Sequence, residues 1–206
     1  PYIISKIYSR NLIYSILDYY CGKIDAETAI NRLEENIKLT VPAYEECLKK
    51  DFPFTEQEIM NLTSIANAYF HKKSYEQAIQ IYERLLDTLK MDYIVGEYLE
   101  HIEILVLRNL SATYAMRGDD AKAFALNTRC LEKAKQSNKG IKVYSILSDR
   151  ACIILSQIES GERDLCDRNL AKEYLRQAYY LAAARRDGKE SEIFRNAYEK
   201  RFGESL

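Results

Sequence analysis

An all-α fold of helix pairs stacked side by side is what this sequence predicts, and three observations predict it. Gly and Pro number only 7 and 3 among 206 residues, which suits long helices joined by short connections. Apolar residues recur at spacings of three and four, as at Ile59, Leu62, Ile65, Ala66 and Tyr69, the period of a single helical face. Similar segments return along the chain at intervals of 45 to 49 residues. Recurrence on that scale marks a stacked array, in which no unit can bury its apolar face alone.

The segment SIANAYFHKKSYEQAIQIYERLL holds Ile65, Ala66, Tyr69, Tyr75, Ala78, Tyr82 and Leu85 in the order of small, aromatic and aliphatic positions of tetratricopeptide repeats. NLSATYAMRGDDAKAFALNTRCLEKA repeats that order with Leu110, Ser111, Tyr114, Gly118, Ala123 and Cys130. In both, Tyr precedes the key Ala by nine residues, and Tyr20 and Ala29 keep the same separation upstream. NLAKEYLRQAYYLA supplies a fourth copy, so the alanines 29, 78, 123 and 171 lie 49, 45 and 48 apart. These intervals exceed the 34 of the standard repeat, which predicts longer helices or extra linkers. The predicted architecture is a right-handed superhelix of about four tetratricopeptide-like pairs plus a C-terminal capping helix, in one domain spanning 1–206.

Element by element, the pairs fall at 5–21 with 25–39, 56–72 with 75–92, 97–117 with 119–137, and 141–160 with 167–186, with a cap at 189–202. Thr55 to Glu58 and Ser74 to Gln77 read as capping boxes at helix starts. Gly22, Gly118 and Gly161 stand where the first helix of a pair ends, since Gly tolerates a left-handed closing residue, and Gly96 and Gly140 mark turns between pairs. Ala66, Ser111, Ala78 and Ala123 are small where two helices of a pair approach closely. Pro42 and Pro53 bracket a short helical piece. Most of the 17 tyrosines fall on packing positions.

Charge excludes some functions. Thirty Lys and Arg against 31 Asp and Glu leave no basic stripe for nucleic-acid phosphates. The apolar runs fall well short of the roughly 20 residues of a membrane helix. Five widely spaced cysteines, Cys21, Cys47, Cys130, Cys152 and Cys166, suit reduced, mostly packed thiols of a cytoplasmic protein. The start at Pro1, with no initiator Met, favours a piece of a longer protein.

Catalytic patterns are not evident. His71 and His101 stand outside any metal-ligand spacing, and neither a Gly-rich phosphate loop nor a nucleophile elbow occurs. The expectation is a non-enzyme without cofactor or metal. Binding is the better reading, because the first helix of each stacked pair lines a concave surface. Groove positions are Thr63, Ser64, Asn67, Phe70 and His71 in the second pair, and Arg108, Asn109, Ala112 and Met116 in the third. Tyr14 and Asp18 in the first pair and Ser145, Asp149 and Cys152 in the fourth complete the set. Asn67 and Asn109 carry most of the argument: an amide side chain offers donors and an acceptor to an extended peptide backbone whatever its sequence. Arg108 adds a planar cation for a carboxylate.

The stretch LDYYCGKIDAETAINRLEENI, followed by the widely spaced IANAYFHKKSYEQAI and LRNLSATYAMRGDDAKAF, resembles the tetratricopeptide-containing, peptide-pheromone-responsive transcriptional regulators of Gram-positive bacteria, the Rgg and PlcR type. The resemblance covers most of the chain. It implies a peptide-binding and dimerising repeat domain that joins an N-terminal helix-turn-helix in a longer protein, reaches DNA only through that missing part, and uses Asn67 and Asn109 on the peptide backbone. The expected partners are a short peptide or protein segment and a second copy of the chain. The competing reading is a repeat adaptor that docks a protein partner; a phosphatase-type relative acting on a response regulator is a third.

Overall fold

In the computed structural model, residues 2–91, 99–137, 141–164 and 167–206 are described, with side chains from residue 4 onward. They form ten helices and no strand. The chain divides into two compact units, Pro1–Thr113 and Tyr114–Leu206.

Unit 1 contains α1 (Tyr2–Tyr20), α2 (Ala26–Lys38), the short α3 (Tyr44–Cys47), α4 (Glu56–His71), α5 (Tyr75–Thr88) and most of α6 (Leu99–Arg117). Within it α1 packs on α2, α2 on α4 and α4 on α5, so each helix touches mainly its neighbours in sequence, as stacked hairpins do. Unit 2 continues with α7 (Asp120–Gln136), α8 (Val143–Glu159), α9 (Arg168–Ala184) and α10 (Gly188–Phe202). There α7 packs on α8, α8 on α9 and α9 on α10.

The local signals behave as their chemistry requires, with one exception. At the start of α4 the Glu58 amide donates to Thr55 Oγ1 at 3.4 Å and the Thr55 amide to Glu58 Oε2 at 2.8 Å, a complete capping box. The box expected at Ser74 does not form. Ser74 closes the preceding helix instead: its amide donates to the Tyr69 carbonyl at 2.9 Å, after Lys73 has turned left-handed at φ 65°. Ser74 is the N-cap residue of α5, but its hydroxyl makes no capping hydrogen bond. Gly22, Gly118 and Gly161 adopt φ of 69°, 90° and 80° after α1, α6 and α8, a conformation any Cβ would oppose. Gly96 and Gly140 lie outside the described residues.

The four register alanines, Ala29, Ala78, Ala123 and Ala171, are wholly buried, as are Ala66 and, almost so, Ser111. Around them, fully buried Leu62, Ile65 and Leu85 in unit 1 and Ile154 and Leu175 in unit 2 each stabilise the packing by about 1.5–3 kcal/mol. First helices run 16 to 19 residues, which accounts for part of the long repeat interval. Tyr8, Tyr44, Tyr82, Tyr114, Tyr144 and Tyr198 are core residues. The cysteines correct one expectation: of the four described, only Cys130 is buried, while Cys21 and Cys152 are exposed and Cys47 is half-buried. Their positions fall on helix edges and ends, where the register does not enforce packing. No described helix is long and apolar enough to cross a membrane.

Candidate functional site

Three helices of unit 1 place one amide or phenol each at a common point. Asn67 lies on α4 between buried Ala66 and Ala68, so the packed face holds its backbone firmly while its side chain sits half-exposed at the edge. Tyr82 lies on α5, four residues after the register alanine Ala78, with its ring buried and its hydroxyl reaching the same edge. Asn109 lies on α6, also half-exposed. The Tyr82 hydroxyl donates to Asn67 Oδ1, and Asn109 Nδ2 donates to the same oxygen at 2.8 Å.

This doubly used oxygen fixes the orientation of both amides. Burial raises the Tyr20 phenol at the end of α1, and a side-chain interaction with Asn67 opposes that rise. Tyr20 as a whole residue is 62% exposed, while desolvation is the main cause acting on its phenol. Asn109, having committed an N–H to Asn67, retains the acceptor Oδ1. Beyond the bonds they share, the two amides have an Asn67 Nδ2 donor and an Asn109 Oδ1 acceptor, the chemistry that complements a peptide C=O and N–H. None of these groups is charged near neutrality. Burial pushes the Tyr82 phenol well above its usual value, against a lowering by Asn109 and with a smaller push from Tyr20; Tyr20 is raised by burial as well. The site can hold and align a polar chain. It supplies neither a nucleophile nor a proton shuttle at physiological pH.

The other sequence-derived groove positions distribute unevenly. Phe70 and His71 follow Asn67 on α4, with ring centroids 5.3 Å apart, and His71 meets Tyr19 at 6.0 Å. They extend the edge toward the end of α1. Arg108 and Ala112 are half-buried on α6 beside Asn109. Thr63 is 4% exposed and its hydroxyl donates to the Ile59 carbonyl at 2.7 Å, which sets it in the packing layer. Ser64 likewise donates to the Met60 carbonyl at 2.9 Å. Asp18 is held by Lys23 and Arg32, each at 3.2 Å, and Tyr14 lines a different cleft, between α1 and α2.

Met116, Asp149, Cys152 and Ser145 belong to unit 2. Met116 is exposed, Asp149 half-buried and Ser145 buried. The Cys152 thiol is pushed up by desolvation, opposed by Arg201 and reinforced by Asp149. Among the described residues no group of three His, Cys, Asp or Glu comes together as a metal site would require.

Tyr20 and Tyr82 are the members that sequence reasoning had assigned to packing. Both belong to the repeat pattern, Tyr20 nine before Ala29 and Tyr82 four after Ala78, and that pattern gives ring positions without saying where a hydroxyl ends.

No family model matches the chain, and no curated protein matches it. Among solved structures, it is similar to the crystal structure of a candidate kinesin light chain of Podosopora anserina with nearly identical TPR-like repeats. That likeness has a TM-score of 0.63 at 14% identity, over 93% of this chain and 83% of the other. The chain therefore has a tetratricopeptide-like helical repeat fold; at such identity the likeness concerns the fold alone.

Proposed function

We propose that this chain is a peptide-binding and dimerising regulatory module of the Rgg and PlcR type, which holds a short signalling peptide at the Asn67–Asn109 edge. The observation that carries the reading is the shared Asn67 oxygen: it orients two amides so that a donor and an acceptor remain for an extended backbone. Such a pair recognises the main chain regardless of side chains, while Phe70, His71 and Arg108 nearby supply selectivity. Thr63 contributes through packing. Met116, Asp149 and Cys152 fall in unit 2, and the reading rests on the unit 1 residues. In this reading a helix-turn-helix elsewhere in a longer protein contacts DNA, the protein works in the cytoplasm, and the peptide acts by favouring one of two arrangements of the module. It does so only to the extent that it binds them unequally.

Isothermal titration with a panel of short peptides tests the site. Binding to the wild-type chain that weakens about 5- to 30-fold in Asn67→Ala and in Asn109→Ala, the loss of one or two hydrogen bonds, is the expected result. A peptide that binds the wild type and both variants alike would remove the amide pair from the function. Capture of a folded protein domain, with no affinity for isolated peptides, would favour the adaptor reading.

A further inference from the structure

A cavity of about 790 Å³ in unit 1 lies away from the asparagines. Its walls are Glu34 of α2, Tyr44 and Glu45 of α3, Leu48 just after that helix, Tyr69 of α4 and Ile81 of α5. Tyr69 follows Asn67 by two positions, about 200° around the helix, so the two residues serve opposite faces. The wall from α3 exists because residues 39–55 run between α2 and α4, whereas 137–142 suffice between α7 and α8. The extra length in the first repeat interval thus builds one side of a concavity.

Glu34 gives the cavity its chemistry. It is half-buried, its Oε1 accepts from the Tyr69 hydroxyl at 3.2 Å, and Tyr44, only 4% exposed, borders the same carboxylate. Burial first, then the charge of Glu34, push the Tyr69 phenol up to about 12; burial and then a hydrogen bond to Glu34 push Tyr44 higher still. Both phenols therefore keep their protons at neutral pH, and neither cancels the charge of the carboxylate. Among the described residues no Lys, Arg or His forms an ion pair with Glu34. Three carboxylates line the cavity, Glu34, Glu45 and Glu83, against one ammonium, Lys49, which is committed to Glu46 at 2.9 Å. A carboxylate partly withdrawn from water and left without a counter-ion attracts a cation more strongly than an exposed one does.

The cation that fits is extended and partly apolar. Among the described residues no three acidic side chains converge as a single metal ion would need, so the negative charge is spread along the cavity. Leu48 and the buried Ile81 lie among the carboxylates and suit methylene groups rather than a hydrated ion. Lys38 of the chain itself displays the matching chemistry: its ammonium lies 5.6 Å from the centre of the Tyr44 ring and 4.0 Å from Glu45, an alkylammonium set between a ring and a carboxylate. We infer that this cavity binds an aliphatic polyamine, with one ammonium on Glu34 beside Tyr69, another toward Glu45 and Glu83, and the methylene spacers against Leu48 and Ile81. Neither Asn67 nor Asn109 lines it, so this site stands or falls independently of the peptide edge.

The test is isothermal titration of the full chain with spermidine, repeated in Glu34→Gln, Lys38→Met and Glu173→Gln. Glu34→Gln removes the charge while keeping an acceptor for Tyr69; Glu173 is exposed in unit 2, so its substitution makes the same change of net charge far from the cavity. The wild type is expected to bind spermidine at one saturable site, about 10-fold more weakly in Glu34→Gln, the loss of one charge-assisted bond, and within about twofold of wild type in Glu173→Gln, whose charge is screened. Lys38→Met removes the competing ammonium from the Tyr44 ring and should tighten binding about threefold. An unchanged helical circular dichroism spectrum confirms that each variant folds. Absence of saturable binding to the wild type, equal losses in Glu34→Gln and Glu173→Gln, or weaker binding in Lys38→Met would each overturn the inference. So would tighter binding of Mg²⁺, or of an acetylated, amidated lysine standing for a protein side chain, than of spermidine.

Discussion

Tyr82 and Asn127 occupy the same register position, four residues after the buried alanines Ala78 and Ala123, and both are wholly buried. They solve the same problem in opposite ways. In unit 1 the Tyr82 phenol passes its hydrogen to Asn67, which also receives Asn109, and the resulting cluster is neutral and open at its edge. In unit 2 the Asn127 amide donates to the Ile146 carbonyl at 3.2 Å, and its oxygen accepts from Arg150 at 3.3 Å. Arg150 also donates to Thr128 at 3.1 Å and lies over the rings of Phe124 and Tyr174, at 4.3 and 5.5 Å. Arg150 Nη1 closes that cluster, while its buried Nε has no hydrogen-bond partner. A repeat register therefore fixes where a polar group must be satisfied, while the side chain at that point decides whether the result is a lock or a binding edge.

The largest effect expected from breaking this contrast is at the lock. Arg150→Ala removes two hydrogen bonds and the stacked cation, and leaves Asn127 Oδ1 without its donor in the core; the chain should lose about 3 kcal/mol, read as a lowered midpoint in urea unfolding. A loss below about 1 kcal/mol would mean the guanidinium merely fills space. Tyr82→Phe is smaller. The ring stays packed, one hydrogen bond goes, and Asn109 still supplies the Asn67 oxygen, so about 1 kcal/mol is expected. Because the amides lose part of their orientation, peptide affinity should fall with it, whereas Arg150→Ala should leave the Asn67–Asn109 geometry intact.

The smallest effect sharpens the comparison through pH. The unit 1 cluster has no carboxylate, but unit 2 carries Asp187 at the start of α10, accepting from Lys142 at 3.0 Å and Tyr144 at 2.8 Å. Hydrogen bonds from Lys142 and then Tyr144 hold the Asp187 carboxyl below its usual value. A depressed carboxyl contributes stability that is complete above the ordinary value of 3.8 and decays as pH falls from there through the lower folded value. Relative to its intrinsic rate at each pH, hydrogen exchange in the first turn of α10 should thus accelerate as pH falls below 3.8 in the wild type. In Asp187→Asn it should be faster already at neutral pH and respond less to acid.

Much of the fold was legible because its signals are local. The alanines at 29, 78, 123 and 171 predicted close helix contacts and are buried; the glycines at 22, 118 and 161 predicted left-handed closures and adopt them. Where two local rules competed, reading failed. Ser74 starts α5 as its composition suggests, yet its amide donates to the Tyr69 carbonyl of α4 and its hydroxyl makes no capping bond. Of the site, Asn67 and Asn109 were foreseen as polar residues on first helices. Their contact across 42 residues, and the part of Tyr82 in it, were not.

Period and composition by themselves determined that this chain would be helical, paired and repeated, since a turn of helix involves only neighbours three and four residues away and the small residues report how closely the next helix must come. What the tertiary structure alone decided is the direction of polar ends. Whether Tyr82 meets an amide, Tyr69 meets Glu34 or Arg150 finds two rings depends on atoms brought together from distant segments, and a hydrogen bond holds only over about 3 Å. No spacing along the sequence encodes a distance that short between residues so far apart.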